Sequence, residues 1–209
     1  MSKIKLCGLM NSIDAYYANE AAPDYVGLVF DKRRHFISDE RAFSIRQALD
    51  SNIPAIGVFV NEPQKHIINL VQQEVIQFVQ LHGCETETYI TKLKEHISCP
   101  IIKVVSVKTT EDILMMEHTK AEYIMLDHGI GGTGKTFNWK LIPAIIKPWF
   151  FAGGINLSNI EKALDYHPFC IDISSGAETD GVKNREKMIA LVNKVRLYNC
   201  LLYTSDAAD

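Results

Sequence analysis

Short, almost uninterrupted apolar runs recur along the chain: Ile4–Cys7, Tyr25–Phe30, Pro54–Val60, Phe78–Leu81, Ile101–Val105, Tyr123–Leu126, Trp149–Ala152 and Cys170–Ile173. Their length and their β-branched and aromatic content predict strands buried on both faces, as in a parallel sheet. Polar, helix-capping residues separate them. Asn11 or Ser12 opens a predicted helix to about Glu20, Ser38 caps one through about Leu49, and Pro63 stands at a first helical position. Further helices are predicted over Glu85–Ile97, Thr110–His118, Leu157–Asp165 and Asn184–Arg196. Strict strand–helix alternation with eight strands predicts an α/β fold, a parallel eight-stranded (β/α)8 TIM barrel. An open doubly wound sheet would alternate in the same way.

Residues 1–196 read as one barrel domain, because nothing from Ile4 to Arg196 has the composition of a linker. Residues 197–209 have no strand left to join. They resemble translated adapter sequence and are expected to be non-native or disordered, a genuine helical extension being the alternative.

Composition narrows the classes of function. The 209 residues are 47% hydrophobic, enough for a large core, and the net charge of −3 argues against nucleic acid as a partner. No apolar run approaches the roughly 18 residues that span a bilayer, so no membrane is expected. The start, Met-Ser-Lys-Ile-Lys-Leu-Cys, lacks the apolar core of a signal peptide. Five cysteines, odd in number and never spaced Cys-x-x-Cys, read as reduced thiols in a cytoplasmic protein, without disulfides or a metal site.

One loop invites a different reading. Gly129-x-x-x-x-Gly134-Lys135-Thr136 satisfies the phosphate-loop pattern of nucleotide hydrolases. That motif needs a long helix after its Lys-Thr, whose first amides hold the phosphates. Pro143 follows too soon for such a helix, and five predicted strands precede the loop, whereas the motif normally follows the first. The alternative is a catalytic acid, Asp127, at a strand end, with Gly129, Gly131, Gly132 and Gly134 in a lid beside it.

A barrel of this kind places its chemistry at the C-terminal ends of its strands. There stand Cys7, the Arg33-Arg34-His35 cluster, Asn61, His82, Asp127, Gly153-Gly154 and Asp172-Ile173-Ser174-Ser175-Gly176. Turns rich in glycine and hydroxyl groups after strands seven and eight can hold a phosphate through backbone N–H groups. Cys7 and Asp127 form a possible base and acid pair across the mouth.

Together these residues resemble the phosphoribosylanthranilate isomerase family of tryptophan biosynthesis, over essentially the whole stretch from Lys3 to Arg196. The resemblance rests on Lys5-Leu6-Cys7-Gly8-Leu9, Gly57-Val58-Phe59-Val60-Asn61, Val79-Gln80-Leu81-His82-Gly83 and Gly131–Trp139. Ala152-Gly153-Gly154-Ile155 and Asp172–Glu178 extend it, all in the right order. It implies a (β/α)8 barrel and the Amadori rearrangement of N-(5′-phosphoribosyl)anthranilate, with neither metal nor organic cofactor. It implies Cys7 as general base and Asp127 as general acid. Gly153, Gly154, Asp172, Ser175 and Gly176 would bind the substrate, a small phosphorylated molecule, in a monomer or homodimer.

That chemistry calls for an Asp127 whose pKa is raised by burial and a Cys7 whose pKa is lowered by an electropositive pocket. The family also carries an arginine for the anthranilate carboxylate in the loop after strand two. Counting back from Phe36-Ile37-Ser38 puts His35 at that position, with Arg34 beside it, and Arg34 is favoured here. His82 reads as a structural histidine. Two other readings are a related barrel of the histidine pathway, which would carry aspartate where this chain has Cys7, and a non-catalytic sugar-phosphate binder, which would not need the Cys–Asp pair.

Overall fold

The computed structural model describes residues 1–32, 34–129 and 136–206, with residues 202–206 as backbone alone. Eight strands carry the architecture: β1 (Lys3–Cys7), β2 (Tyr25–Val29), β3 (Ala55–Phe59), β4 (Phe78–Leu81), β5 (Ile101–Ser106), β6 (Tyr123–Asp127), β7 (Trp149–Phe151) and β8 (Cys170–Ile173). Each pairs in parallel with the next, and β8 returns to β1 with Lys5 opposite Asp172. The sheet is a closed barrel, not an open one.

The helices are α1 (Ser12–Ala21), α2 (Asp39–Ala48), α3 (Gln64–Gln72), α4 (Glu87–Lys94), α5 (Thr110–Met116), α6 (Ile160–Leu164) and α7 (Arg185–Asp206). Asn11 caps α1 by accepting from the amides of Ile13 and Asp14, and Ser38 caps α2. Pro63 caps α3 instead of forming its first residue. Two helices start later than their sequences suggest, each because a polar side chain is engaged elsewhere. Glu85 leaves α4 to accept from the amides of Asn61 and Gly83 and to pair with Lys103, so Thr86 becomes the cap. Before α6, Asn156 accepts from the Ser158 amide and Asn159 accepts from the Asn156 amide, which holds a turn where the helix was expected. Between β6 and β7 the described chain has only a 3-10 turn, Trp139–Leu141.

Two apolar clusters fill the fold. The larger joins the outward faces of the strands, such as Ile4, Leu6, Val26, Leu28 and Phe151, to the helices. The smaller, with Tyr25, Ile56, Ile102, Met125, Phe150 and Cys170, fills the barrel interior. Helix α7 runs on to Asp206, past the expected end at Arg196 and through most of the segment expected to be disordered. No glycine or proline follows Arg196 to stop it. Side chains beyond Arg196 also find partners. Tyr198 donates to Asp165, and the buried Asn199 accepts from the amide of Ser2 and donates to its carbonyl.

That clasp fixes the approach to β1. Asn199→Ala would leave both backbone groups of Ser2 without their partner, which costs about 1–3 kcal/mol. The expected outcome is a lower urea unfolding midpoint at unchanged slope; an unchanged midpoint would show that the clasp adds no stability.

Candidate active site

The period of two along a strand sends Lys5 and Cys7 to the same side of β1, and both point into the barrel. Cys7 stands in register with Gly27 of β2, where a Cβ would fall 2.5 Å from Sγ. A glycine is what leaves room for the sulfur. Lys5 is wholly buried. Its Nζ donates to Gln80 Oε1 at 2.6 Å, lies 3.1 Å from Asp172 Oδ1, and contacts Cys7 Sγ at 3.4 Å.

Gln80 and His82 repeat the spacing at the end of β4. Gln80 Nε2 lies 3.3 Å from His82 Nδ1, and His82 Nε2 lies 3.3 Å from Asp127 Oδ2, the latter contact poorly aligned. Asp127 closes β6, and its Oδ1 accepts from the amide of His128 at 2.7 Å. A chain of polar contacts thus runs from Cys7 through Lys5, Gln80 and His82 to Asp127.

The proton affinities of the two ends run opposite to what the sequence led us to expect. Burial pushes the Cys7 thiol up, and the nearby Lys5 ammonium opposes this only in part. Burial also acts to raise the Asp127 pKa, but the nearby His82 ring and the His128 amide outweigh it, so the net shift is downward. The surrounding groups therefore favour a thiol at Cys7 and a carboxylate at Asp127.

After β8 the chain forms a short hairpin, β9 (Glu178–Thr179) and β10 (Val182–Lys183). Its Glu178 is the anchor of the basic loop after β2. Arg34 donates to Glu178 Oε2 at 2.6 Å, while His35 Nε2 and Lys183 Nζ lie 2.9 and 2.6 Å from Oε1. Arg34 is half exposed and His35 is buried. Burial acts to raise the Glu178 pKa, yet His35 and Lys183 bring it down to about 2. Arg33 lies outside the described residues, as do Gly131, Gly132, Gly134 and Lys135 of the glycine loop. Thr136 is exposed.

The two turns proposed for phosphate adjoin each other. Gly153 and Gly154 both have positive φ, 91° and 68°, which a side chain would strain. A Cβ on Gly176 would overlap the carbonyl oxygen of Ile155, so the turns after β7 and β8 touch through their backbones. Ser175 and Gly176 lie in a 3-10 turn, Ser175–Ala177. Asp172 points inward to Lys5 and is almost fully buried. A cleft of about 540 Å³ beside the loops after β2 and β3, lined by Phe30, Phe36, Glu62 and His66 among others, includes neither Cys7 nor Asp127. Chemistry outweighs size in choosing the site. Among the described residues, no group of three His, Cys, Asp or Glu could hold a metal ion, and no helix is long and apolar enough to cross a membrane.

Lys5, Gln80, Glu178 and Lys183 were missed as site residues by sequence reasoning, and His82 was set aside. For Lys5 and Gln80 a signal existed: each stands two residues before a candidate group on a barrel strand and so shares its inward face. Glu178 and Lys183 gave none, since a hairpin of two-residue strands has no legible pattern.

Because the Glu178 pKa falls on folding, its stabilising contribution is present above the ordinary value of 4.5 and is lost as pH falls toward about 2. Glu178→Gln should be less stable than wild type at neutral pH. The gap in urea midpoints should narrow as pH falls through that window, and a gap independent of pH would contradict the charged anchor.

Comparison with known proteins follows the same outline. The family model described as N-(5'phosphoribosyl)anthranilate (PRA) isomerase matches residues 4–194. The N-(5'-phosphoribosyl)anthranilate isomerase of Endomicrobium trichonymphae is 42% identical over 201 residues, covering 94% of this chain and 99% of that protein. The crystal structure of phosphoribosyl anthranilate isomerase from Thermotoga maritima superposes with a TM-score of 0.82 at 32% identity, covering 94% of this chain and 99% of the other. A further structure of such an isomerase, in complex with reduced 1-(o-carboxyphenylamino)-1-deoxyribulose 5-phosphate, gives a TM-score of 0.78 at 30% identity and the same coverage.

Proposed function

The chain belongs to the N-(5'-phosphoribosyl)anthranilate isomerase family, and we propose that it performs this isomerisation with Cys7 as general base and Asp127 as general acid. The reaction is a step of tryptophan biosynthesis. It converts an aminoaldose, N-(5′-phosphoribosyl)anthranilate, to the aminoketose 1-(2-carboxyphenylamino)-1-deoxyribulose 5-phosphate. What carries the residue assignment is the position of Cys7 and Asp127 at the ends of β1 and β6, joined by the polar chain through Lys5, Gln80 and His82.

Asp127 gives a proton to the ribose ring oxygen as the C1′–O bond breaks, leaving a protonated Schiff base. Cys7 takes the proton from C2′, and those electrons move to give an enolamine. The enolamine tautomerises to the ketone, which needs no metal or organic cofactor. At the end of the sequence Cys7 has gained a proton and Asp127 has lost one. That is the protonation pattern which the surrounding protein groups favour. Each turnover then requires one proton to leave the sulfur and one to return to the carboxylate before chemistry resumes.

The substrate is anionic at both ends. Its phosphate sits at the touching turns Gly153-Gly154 and Ser175-Gly176, where the positive φ of Gly153 and Gly154 and the missing side chain of Gly176 open the backbone to close approach. Arg34 meets the anthranilate carboxylate, held toward the mouth by Glu178. A planar guanidinium can offer two parallel hydrogen bonds to a carboxylate, which histidine cannot. Asp172 serves the site from beneath, as the carboxylate partner of Lys5. The protein works in the cytoplasm as a monomer or homodimer.

Cys7→Ser and Asp127→Asn should each lower kcat by about 100- to 10,000-fold, the usual range for proton-transfer groups. Near-normal turnover in either variant removes that residue from the mechanism.

The two ends of the substrate can be tested against each other. Arg34→Ala should lower kcat/KM by on the order of 10- to 150-fold, the worth of hydrogen bonds to a charged group, with competitive inhibition by inorganic phosphate retained. Gly154→Val should abolish that inhibition. A large loss in His35→Ala with none in Arg34→Ala would move the carboxylate contact to the histidine.

A further inference from the structure

Lys5 has no place in the proton transfers themselves, yet it is the most deeply buried charge in the polar chain. Its surroundings dictate the orientation of everything on the way to Asp127. An ammonium has donors only, so the group that faces it from Gln80 at 2.6 Å must be the carbonyl oxygen, Oε1. The amide nitrogen is then turned toward His82 Nδ1, at 3.3 Å. That nitrogen of Gln80 also has donors only, so His82 Nδ1 must accept. The ring proton is left on Nε2, which faces Asp127 Oδ2. One charge on β1 thus fixes the tautomer of a histidine just past β4 and the donor offered to a carboxylate on β6.

We propose that Lys5 is a positioning residue for both proton-transfer groups: its ammonium favours the thiolate of Cys7 directly, and through Gln80 it holds His82 as the neutral Nε2–H tautomer beside Asp127. This rests on the assignment of Cys7 and Asp127 given above. Both effects push toward the working protonation state. At 3.4 Å from Sγ the cation offsets the burial that otherwise keeps the sulfur protonated. A neutral ring beside Asp127 opposes protonation of the carboxylate less than an imidazolium would. The other charges acting on the pair are Asp172, which neutralises part of the Lys5 field and repels a thiolate, Lys183 of β10, which assists it, and His128 beside Asp127.

The first test needs no variant. Two-bond proton–nitrogen NMR correlations of the wild-type protein should show His82 at neutral pH as the neutral tautomer with its proton on Nε2. A proton on Nδ1, alone or together with one on Nε2, overturns the proposal. The second test is Lys5→Met, read by the pH dependence of kcat and by alkylation of Cys7 with iodoacetamide, followed on its own peptide by mass spectrometry. The acid limb of both profiles should move up by about one unit or more, with kcat at neutral pH lowered at least about tenfold. KM should change little, and activity should recover as pH rises. A loss of activity with unmoved limbs would mean a structural role only.

If Lys5→Met does not fold, Gln80→Leu decides. It should leave the Cys7 alkylation profile in place while His82 becomes a mixture of tautomers; a His82 spectrum unchanged in Gln80→Leu refutes the link. The assignment beneath the proposal fails separately. A fully active Cys7→Ser would remove Cys7 as base whatever the tautomer of His82.

Discussion

The buried ion pair between Lys5 and Asp172 spans the seam at which the barrel closes. The two residues are register partners on β1 and β8, the first and last strands of the cylinder. Taking an ammonium out of water costs several kcal/mol unless it is paired and hydrogen-bonded. Here the partners come from three strands: the acceptors Cys7 on β1 and Gln80 on β4, and the counter-charge of Asp172 on β8. The lysine is satisfied only when the cylinder is shut and β4 has reached its place across the interior. Closure of the fold and assembly of the site are one event at this point. Below it the interior is apolar, with Tyr25, Ile56, Ile102, Met125 and Phe150. These side chains make a dry floor on which the polar contacts gain strength.

The chemistry asks the site for two opposite proton affinities, and burial alone gives the wrong one to the sulfur. A thiol sunk in a barrel resists ionisation, while Asp127, with the His128 amide and His82 beside it, resists protonation. These surroundings match the protonation pattern left at the end of the proposed turnover. An anionic substrate alters the field at both groups, and a negative charge brought near a carboxylate favours its protonated form. In the proposed reaction, substrate binding would favour the protonated Asp127 that acts as acid, while the same charge opposes ionisation of Cys7.

Much of the fold was legible because parallel strands covered on both faces leave an unambiguous trace. β4 and β8 fall at the residues the apolar runs suggested, and the other six differ only at their ends. Helix starts were less legible where a side chain had a tertiary task. Glu85 looks like the first residue of a helix and is instead the partner of Lys103. Cys7, Asp127 and the glycine turns stand out as candidates because a barrel assembles its chemistry at strand ends. Lys5 shares the inward face of Cys7 by the period of two, yet only closure of the barrel, which brings Gln80 and Asp172 to its ammonium, shows what that position does. The proton affinities were misjudged for a related reason. They depend on His82 and Lys5, groups that come near Asp127 and Cys7 through the pleat and the curvature of the sheet.

Glu178 faces three basic side chains from two distant parts of the chain: Arg34 and His35 after β2, and Lys183 on its own hairpin. The turn after β1 leans on the same group, since a Cβ on Gly8 would sit 3.0 Å from the His35 ring. Loops on a barrel rim are usually free to drift in sequence independently of one another. These are not. A change of charge or length after β2 leaves the buried carboxylate beyond β8 with Lys183 alone, and the converse change strands a buried histidine. The two loops therefore form a single evolutionary module, to be exchanged between related barrels as a matched pair or not at all.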